Sequence, residues 1–144
     1  MVTGDKMNYL IGFINHKSPL HQHQNYEIIV CSKGSGTMQL AQREITFSEG
    51  DMVIVPPHTL HGSEADAQWE RLYISGDLHP FFNLSRPVAV CDNAEKEGLQ
   101  LAKLIYQNRY AGGDYLHYLI SAFAHFLLNN MQPESTISTA VKDI

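Results

Sequence analysis

The chain predicts a mainly β fold, a barrel or jelly roll, followed by an antiparallel pair of α-helices. Up to Cys91, short runs of strand-forming residues recur at close spacing with Gly, Pro, Ser and Asp between them. Residues 26–33, Tyr-Glu-Ile-Ile-Val-Cys-Ser-Lys, are apolar on both faces, as a central strand of a closed or two-layered sheet must be. From Asp92 onward the apolar period changes from two to about 3.6.

Residues 1–8 are polar and unpatterned and read as an arm. Residues 9–14 form the first predicted strand, and residues 15–20, with Lys17, Ser18 and Pro19, a loop. After the strand at 26–33, Gly34-Ser35-Gly36 makes a turn. Residues 37–40 and 44–47 make a hairpin around Ala41-Gln42-Arg43. Residues 48–51 turn the chain into a buried strand at 52–55, and Pro56-Pro57 ends it because proline cannot donate to a ladder. Residues 58–67 are predicted as a loop carrying His61, with further strands at 69–75 and 87–91.

Asp92 or Asn93 can cap a first helix, with Glu95 and Glu97 at the positive end of its dipole. Leu101, Ala102, Ile105 and Arg109 share one face of it. Residues 111–114 break that helix, and Asp114 is placed to cap the second. Leu116, Leu119, Ile120, Phe123, Phe126 and Leu127 form a broad stripe there, widened by Ala124 and Leu128. A stripe wider than one neighbour needs predicts a second copy of the chain as partner. Residues 132–136 are linker-like, and Ile137, Val141 and Ile144 predict the start of a further helix cut off at the chain end. The expected organisation is a barrel over 1–92, a helical pair over 93–131, and linker plus truncated helix over 132–144.

Chemistry concentrates between His21 and His61. His21, His23 and Glu27 share odd parity, so an extended chain would point all three the same way, with His61 supplied from a later segment. Imidazole and carboxylate donors suit Zn, Fe, Mn or Ni. The same four groups would equally hydrogen-bond the hydroxyls of a small polar ligand. Trp69, Arg71 and Tyr73 share a strand face that could stack on and hydrogen-bond a sugar ring. The opposite face, Glu70, Leu72 and Ile74, is the other candidate for the inside, and parity alone does not choose. His16, His79, His117 and His125 have no partner at useful spacing, and His58 is a loop neighbour of the site.

The spacing His21-x-His23-x3-Glu27-x6-Gly34, then Gly50-x5-Pro56-x4-His61, resembles the paired motifs of the cupin superfamily. Asn15 and His58 stand where that pattern usually has glycine, and Ala65 where it has asparagine. The run Gly50 to Pro57 resembles the AraC/XylS family of bacterial transcription regulators, whose amino-terminal sensor is a cupin, and the likeness extends over roughly residues 9–131. It implies a cupin-type jelly roll that binds a small-molecule effector, sugar-like by preference, in a homodimer. DNA would be reached through a carboxy-terminal domain not in this chain. By position, Lys33 falls near an arginine of the family's arabinose sensor, which implies an inward, ligand-contacting role. The candidate ligand contacts are thus His21, His23, Glu27, Lys33, His61, Trp69 and Arg71, with the three histidines and Glu27 doubling as metal ligands. The enzymatic alternative is a metal-dependent cupin, of dioxygenase or isomerase type, using His21, His23, Glu27 and His61. The absence of an obvious separate general acid or base favours the sensor.

The 144 residues carry a formal net charge of −5, with no cluster of Lys and Arg, which argues against direct binding of DNA or an anionic membrane. No run is long and apolar enough for a membrane span or patterned as a signal peptide, and Cys31 and Cys91 fit reduced thiols of a cytoplasmic protein.

Overall fold

The computed structural model describes residues 8–41, 43–65 and 69–131. Among them nine strands precede two helices: β1 Tyr9–Ile14, β2 Ser18–His21, β3 Tyr26–Lys33, β4 Ser35–Leu40, β5 Arg43–Ser48, β6 Asp51–Val55, β7 His61–Ala65, β8 Glu70–Gly76, β9 Val88–Cys91, α1 Glu97–Gln107 and α2 Tyr115–Asn130. The strands form two antiparallel sheets, β1-β8-β3-β6-β9 and β2-β7-β4-β5. The mainly β jelly-roll barrel with a carboxy-terminal helical pair is therefore the observed fold. The expected linker and truncated helix fall on residues outside those described.

The five-stranded sheet is covered on both faces, which is why β3 shows no polar side. Ile28 and Val30 of β3, Met52 and Ile54 of β6, Leu72 and Ile74 of β8, and Val90 of β9 face the helices. There they meet Leu99, Ala102 and Ile105 of α1 and Ile120, Phe123, Ala124, Phe126 and Leu127 of α2. The alternate residues, Ile29, Cys31, Val53 and Val55, point into the barrel against Met38, Leu40 and Phe47 of the smaller sheet and Trp69. Truncating a ring as fully enclosed as Phe123, 0% exposed, costs about 3–5 kcal/mol, so the outer core fixes the helices on the sheet.

Two segments expected as loops are strands. β2 contains Pro19, which the edge of a sheet tolerates because its ladder position needs no N–H there. β7 has no β-branched residue but is held between β2 and β4, so tertiary pairing overrides its weak propensity. Helix α1 is capped from a distance. Asp92 accepts from the Gly98 and Leu99 amides at 2.8 and 2.9 Å, and Asn93 Oδ1 accepts from the Glu97 amide at 3.0 Å. Asp114 occupies the N-cap of α2 but its side chain makes no cap hydrogen bond, contrary to expectation.

Candidate functional site

The polar cluster forms where the two sheets meet. His21 ends β2 directly across from His61, the first residue of β7. His23 lies in the β2–β3 connection, and Glu27 is on the inner face of β3 opposite Ser75 and Val55. One donor atom from each of the four lies within 4.8 Å of the others. Ring centroids are 4.7 Å apart for His21–His23, 4.3 Å for His21–His61 and 5.2 Å for His23–His61. The expected convergence thus occurs, although His21 and Glu27 sit on strands of different sheets rather than along one face.

Backbone carbonyls set the histidine tautomers. His21 Nδ1 meets the Pro19 carbonyl at 2.7 Å and His61 Nδ1 the Thr59 carbonyl at 2.8 Å, so these nitrogens carry the protons. Both Nε2 atoms are left for the cluster, as in metal sites whose ligands are oriented by carbonyls behind them. His61 Nε2 is 2.9 Å from Glu27 Oε1. Burial disfavours charge on His61, but the hydrogen bond with Glu27, the Thr59 carbonyl and the Glu27 charge outweigh it and raise its pKa above the ordinary 6.5. His23 Nε2 comes within 3.4 Å of Glu27 Oε1 without hydrogen-bond geometry, which leaves a buried nitrogen unpaired. Burial, reinforced by the neighbouring imidazoles His21 and His61, lowers its pKa despite Glu27. The His23 side chain is 38% exposed, so the cluster reaches solvent at this end of the barrel.

His58, in the loop after Pro57, has φ of 62°, the left-handed conformation glycine would adopt more cheaply. Its amide donates to the His23 carbonyl at 2.7 Å, so it pins the β2–β3 connection from an exposed position rather than joining the cluster.

Further along the barrel, Trp69, Arg71 and Tyr73 take the inner face, whereas Leu72 and Ile74 face the helices. Trp69 Nε1 donates to Cys31 Sγ at 3.1 Å, and its ring lies 4.0 Å from the Arg71 guanidinium. Glycine makes this possible: a Cβ on Gly36 would lie 2.2 Å from the Trp69 ring, and one on Gly12 2.3 Å from the Tyr73 hydroxyl. Arg71 is 1% exposed and donates from Nη1 to Ser63 Oγ and from Nη2 to the His16 carbonyl. Its Nε is buried without a partner, and burial pulls its pKa down from the usual value. Ser63 was not singled out from sequence, and Cys31 only as a reduced thiol. Ser63 shares inner parity with His61, a signal hidden while residues 58–67 read as a loop.

Lys33 is a correction. A register irregularity between Cys31 and Lys33 breaks the alternation, and Lys33 ends β3 exposed. It lines an outer groove of about 360 Å³ with Phe13, Glu70, Lys103 and Tyr106, against α1 rather than in the barrel.

Comparison with known proteins agrees with this architecture. No curated protein shows significant sequence similarity to the chain. A variant of apo ToxT from Vibrio cholerae is similar in structure, with a TM-score of 0.61 at 12% identity, over 94% of this chain and 64% of that one. This chain therefore spans under two thirds of the length of ToxT, with which it shares a fold. A cupin-2 domain protein from Shewanella frigidimarina matches with a TM-score of 0.43 at 16% identity, over 50% of this chain and 72% of that one. A cupin protein from Bacteroides fragilis matches with a TM-score of 0.43 at 20% identity, over 59% and 87%. The model of the AraC-like ligand binding domain matches residues 9–86, from the first residue of β1 to beyond the end of β8. More than half of the chain, including every strand that contributes to the polar cluster, thus matches one family, and the chain belongs to the AraC-like ligand-binding domains.

Proposed function

We propose that the barrel senses a small polar effector, sugar-like in its hydroxyls, on behalf of a transcription regulator. The observation that carries this is the four-residue polar cluster inside a ligand-binding-family barrel, open to solvent past His23. Glu27 accepts and the imidazoles donate or accept, so the cluster offers several hydrogen bonds to hydroxyls. Trp69, Arg71 and Tyr73 extend the same inner surface.

A divalent metal held by His21, His23, Glu27 and His61 fits the same geometry. The unpaired His23 Nε2 and the carbonyl-anchored Nδ1 atoms of His21 and His61 support it. When bound, such an ion would offer a Lewis-acidic point for ligand oxygens. That donor set is what the alternative reading, a metal-dependent dioxygenase or isomerase, rests on. The family match favours sensing.

We also infer that α2 mediates a homodimer, with the barrel (1–92) as sensor and 93–131 as the dimerising part. Barrel and α1 cover much of the stripe, but Leu128 stays 40% exposed. DNA contact belongs, on this reading, to a further domain of a cytoplasmic regulator. No helix among the described residues is long and apolar enough to cross a membrane.

The test is a thermal-shift screen of the full chain, purified without a histidine tag, against metals and a library of small polar metabolites. At least one compound is expected to raise the melting temperature of the wild type and not of a His61→Ala, Glu27→Gln variant. Stabilisation of both proteins alike by every hit would remove the cluster from ligand binding.

A further inference from the structure

We propose that the effector is a hydroxy acid, of sugar-acid type, whose carboxylate is met by Arg71 and whose hydroxyls are met by the histidine cluster. This rests on the sensing reading above and names the chemical class of its ligand.

The starting point is a buried cation with no anion among the described residues beside it. Arg71 is 1% exposed, and taking a guanidinium out of water costs several kcal/mol unless charge and hydrogen bonds compensate. Its partners are a hydroxyl, Ser63 Oγ, and a neutral carbonyl, that of His16, with the Trp69 face alongside. Among the described residues no carboxylate lies within 4.0 Å of it, the ion-pair contacts being those of Glu27 with His23 and His61. Glu27, the buried carboxylate of the described residues, is thus already paired. Cys31 does not serve as a counter-charge, because burial pushes its thiol pKa up and keeps it neutral. Arg71 therefore has no charged partner among the described residues.

Geometry indicates what completes it. The unpartnered Nε lies on the edge that, together with Nη2, forms the fork a carboxylate spans with two parallel hydrogen bonds. Ser63, which holds Nη1, is two residues from His61 on the inner face of β7, a separation of roughly 7 Å along the strand. That is the span of a short polyhydroxylated acid with its carboxylate at Arg71 and its far hydroxyls at His61, His21 and Glu27. A neutral sugar of the same size would leave the guanidinium without an anion. The acid is therefore the ligand this interior selects.

The chain has one tryptophan, and it lies against Arg71, so intrinsic emission reports on this site. The full chain is titrated with D-galacturonate, D-gluconate and L-lactate, and with their neutral counterparts D-galactose, D-glucitol and propane-1,2-diol. We expect saturable change with at least one acid, and at least about tenfold weaker binding of its neutral counterpart. Arg71→Met should erase that preference. Arg71→Lys, which keeps the charge and loses the fork, should weaken the acid about tenfold. Neutral compounds binding as tightly as the acids, or acid binding unchanged in Arg71→Met, would overturn the proposal while leaving barrel sensing intact. No binding by any probe would also overturn it, and the library screen then decides the sensing reading separately. Should Arg71→Met fail to fold, the acid-versus-neutral comparison on the wild type decides.

Discussion

Breaking the Glu27–His61 contact tests whether the cluster is a buried ion pair poised for ligand or an inert polar plug. The two side chains are 8% and 2% exposed and 2.9 Å apart. Unit charges at that distance attract by roughly 6 kcal/mol at an effective dielectric near 20. Desolvation takes back most of this, so a coupling of about 1.5–3 kcal/mol is the net expectation for a charge-assisted buried bond. His61→Ala should cost about 3–5 kcal/mol, because it strands the Glu27 carboxylate with His23, 3.4 Å away, as its remaining ion-pair contact among the described residues. Glu27→Gln keeps the shape and removes the stranded charge, so His61→Ala on that background should cost far less. Urea unfolding of the four proteins in the double-mutant cycle, at pH 6 with a chelator present, measures the coupling. A value below about 0.5 kcal/mol, the range of exposed pairs, would refute the buried-pair account. Repeating the wild-type melt with Zn2+ extends the test. An ion at 100 times its Kd should add about 2.7 kcal/mol, and no increment would remove metal from the site while leaving the coupling untouched.

His61 has a pKa raised above 6.5 in the folded chain, so its stabilisation is fully present below that value and is lost as pH rises through the folded one. The stability gap between wild type and His61→Ala should shrink from pH 6 to pH 9 in chelator, and a gap that widens would contradict this sign. Gly36→Ala would force a Cβ to 2.2 Å from the Trp69 ring, which Phe47 backs edge-on at 6.3 Å. It should cost about 1–3 kcal/mol and shift the tryptophan emission, and an unchanged melt with unchanged emission would mean the ring moves freely. Leu128→Glu should turn a sedimenting dimer into a folded monomer, whereas a wild-type monomer at micromolar concentration would end the dimer proposal.

The central place of β3 was legible because its two faces serve different cores and every residue from Tyr26 to Cys31 is buried. The four-residue cluster was legible for a related reason: its spacing reflects strands that turn back on one another at fixed lengths. What was not legible follows from physical features without a local signature. Pairing between β2 and β4 makes β7 a strand, although His-Gly-Ser-Glu-Ala has no strand preference of its own. An irregularity after Cys31 throws Lys33 out of the barrel, and no residue between them announces it. On β8 the alternation was visible but not its direction. Apolar residues mark the inside of a sheet only where the other side meets water, and here helices cover that side. Leu72 and Ile74 therefore pack on helices, and Arg71, which polarity alone would send outward, is enclosed. The enclosure comes from elements distant in sequence, a hydroxyl from β7 and a carbonyl from the β1–β2 connection. Together they supply hydrogen bonds without charge, and among the described residues no carboxylate stands within ion-pair distance of this cation.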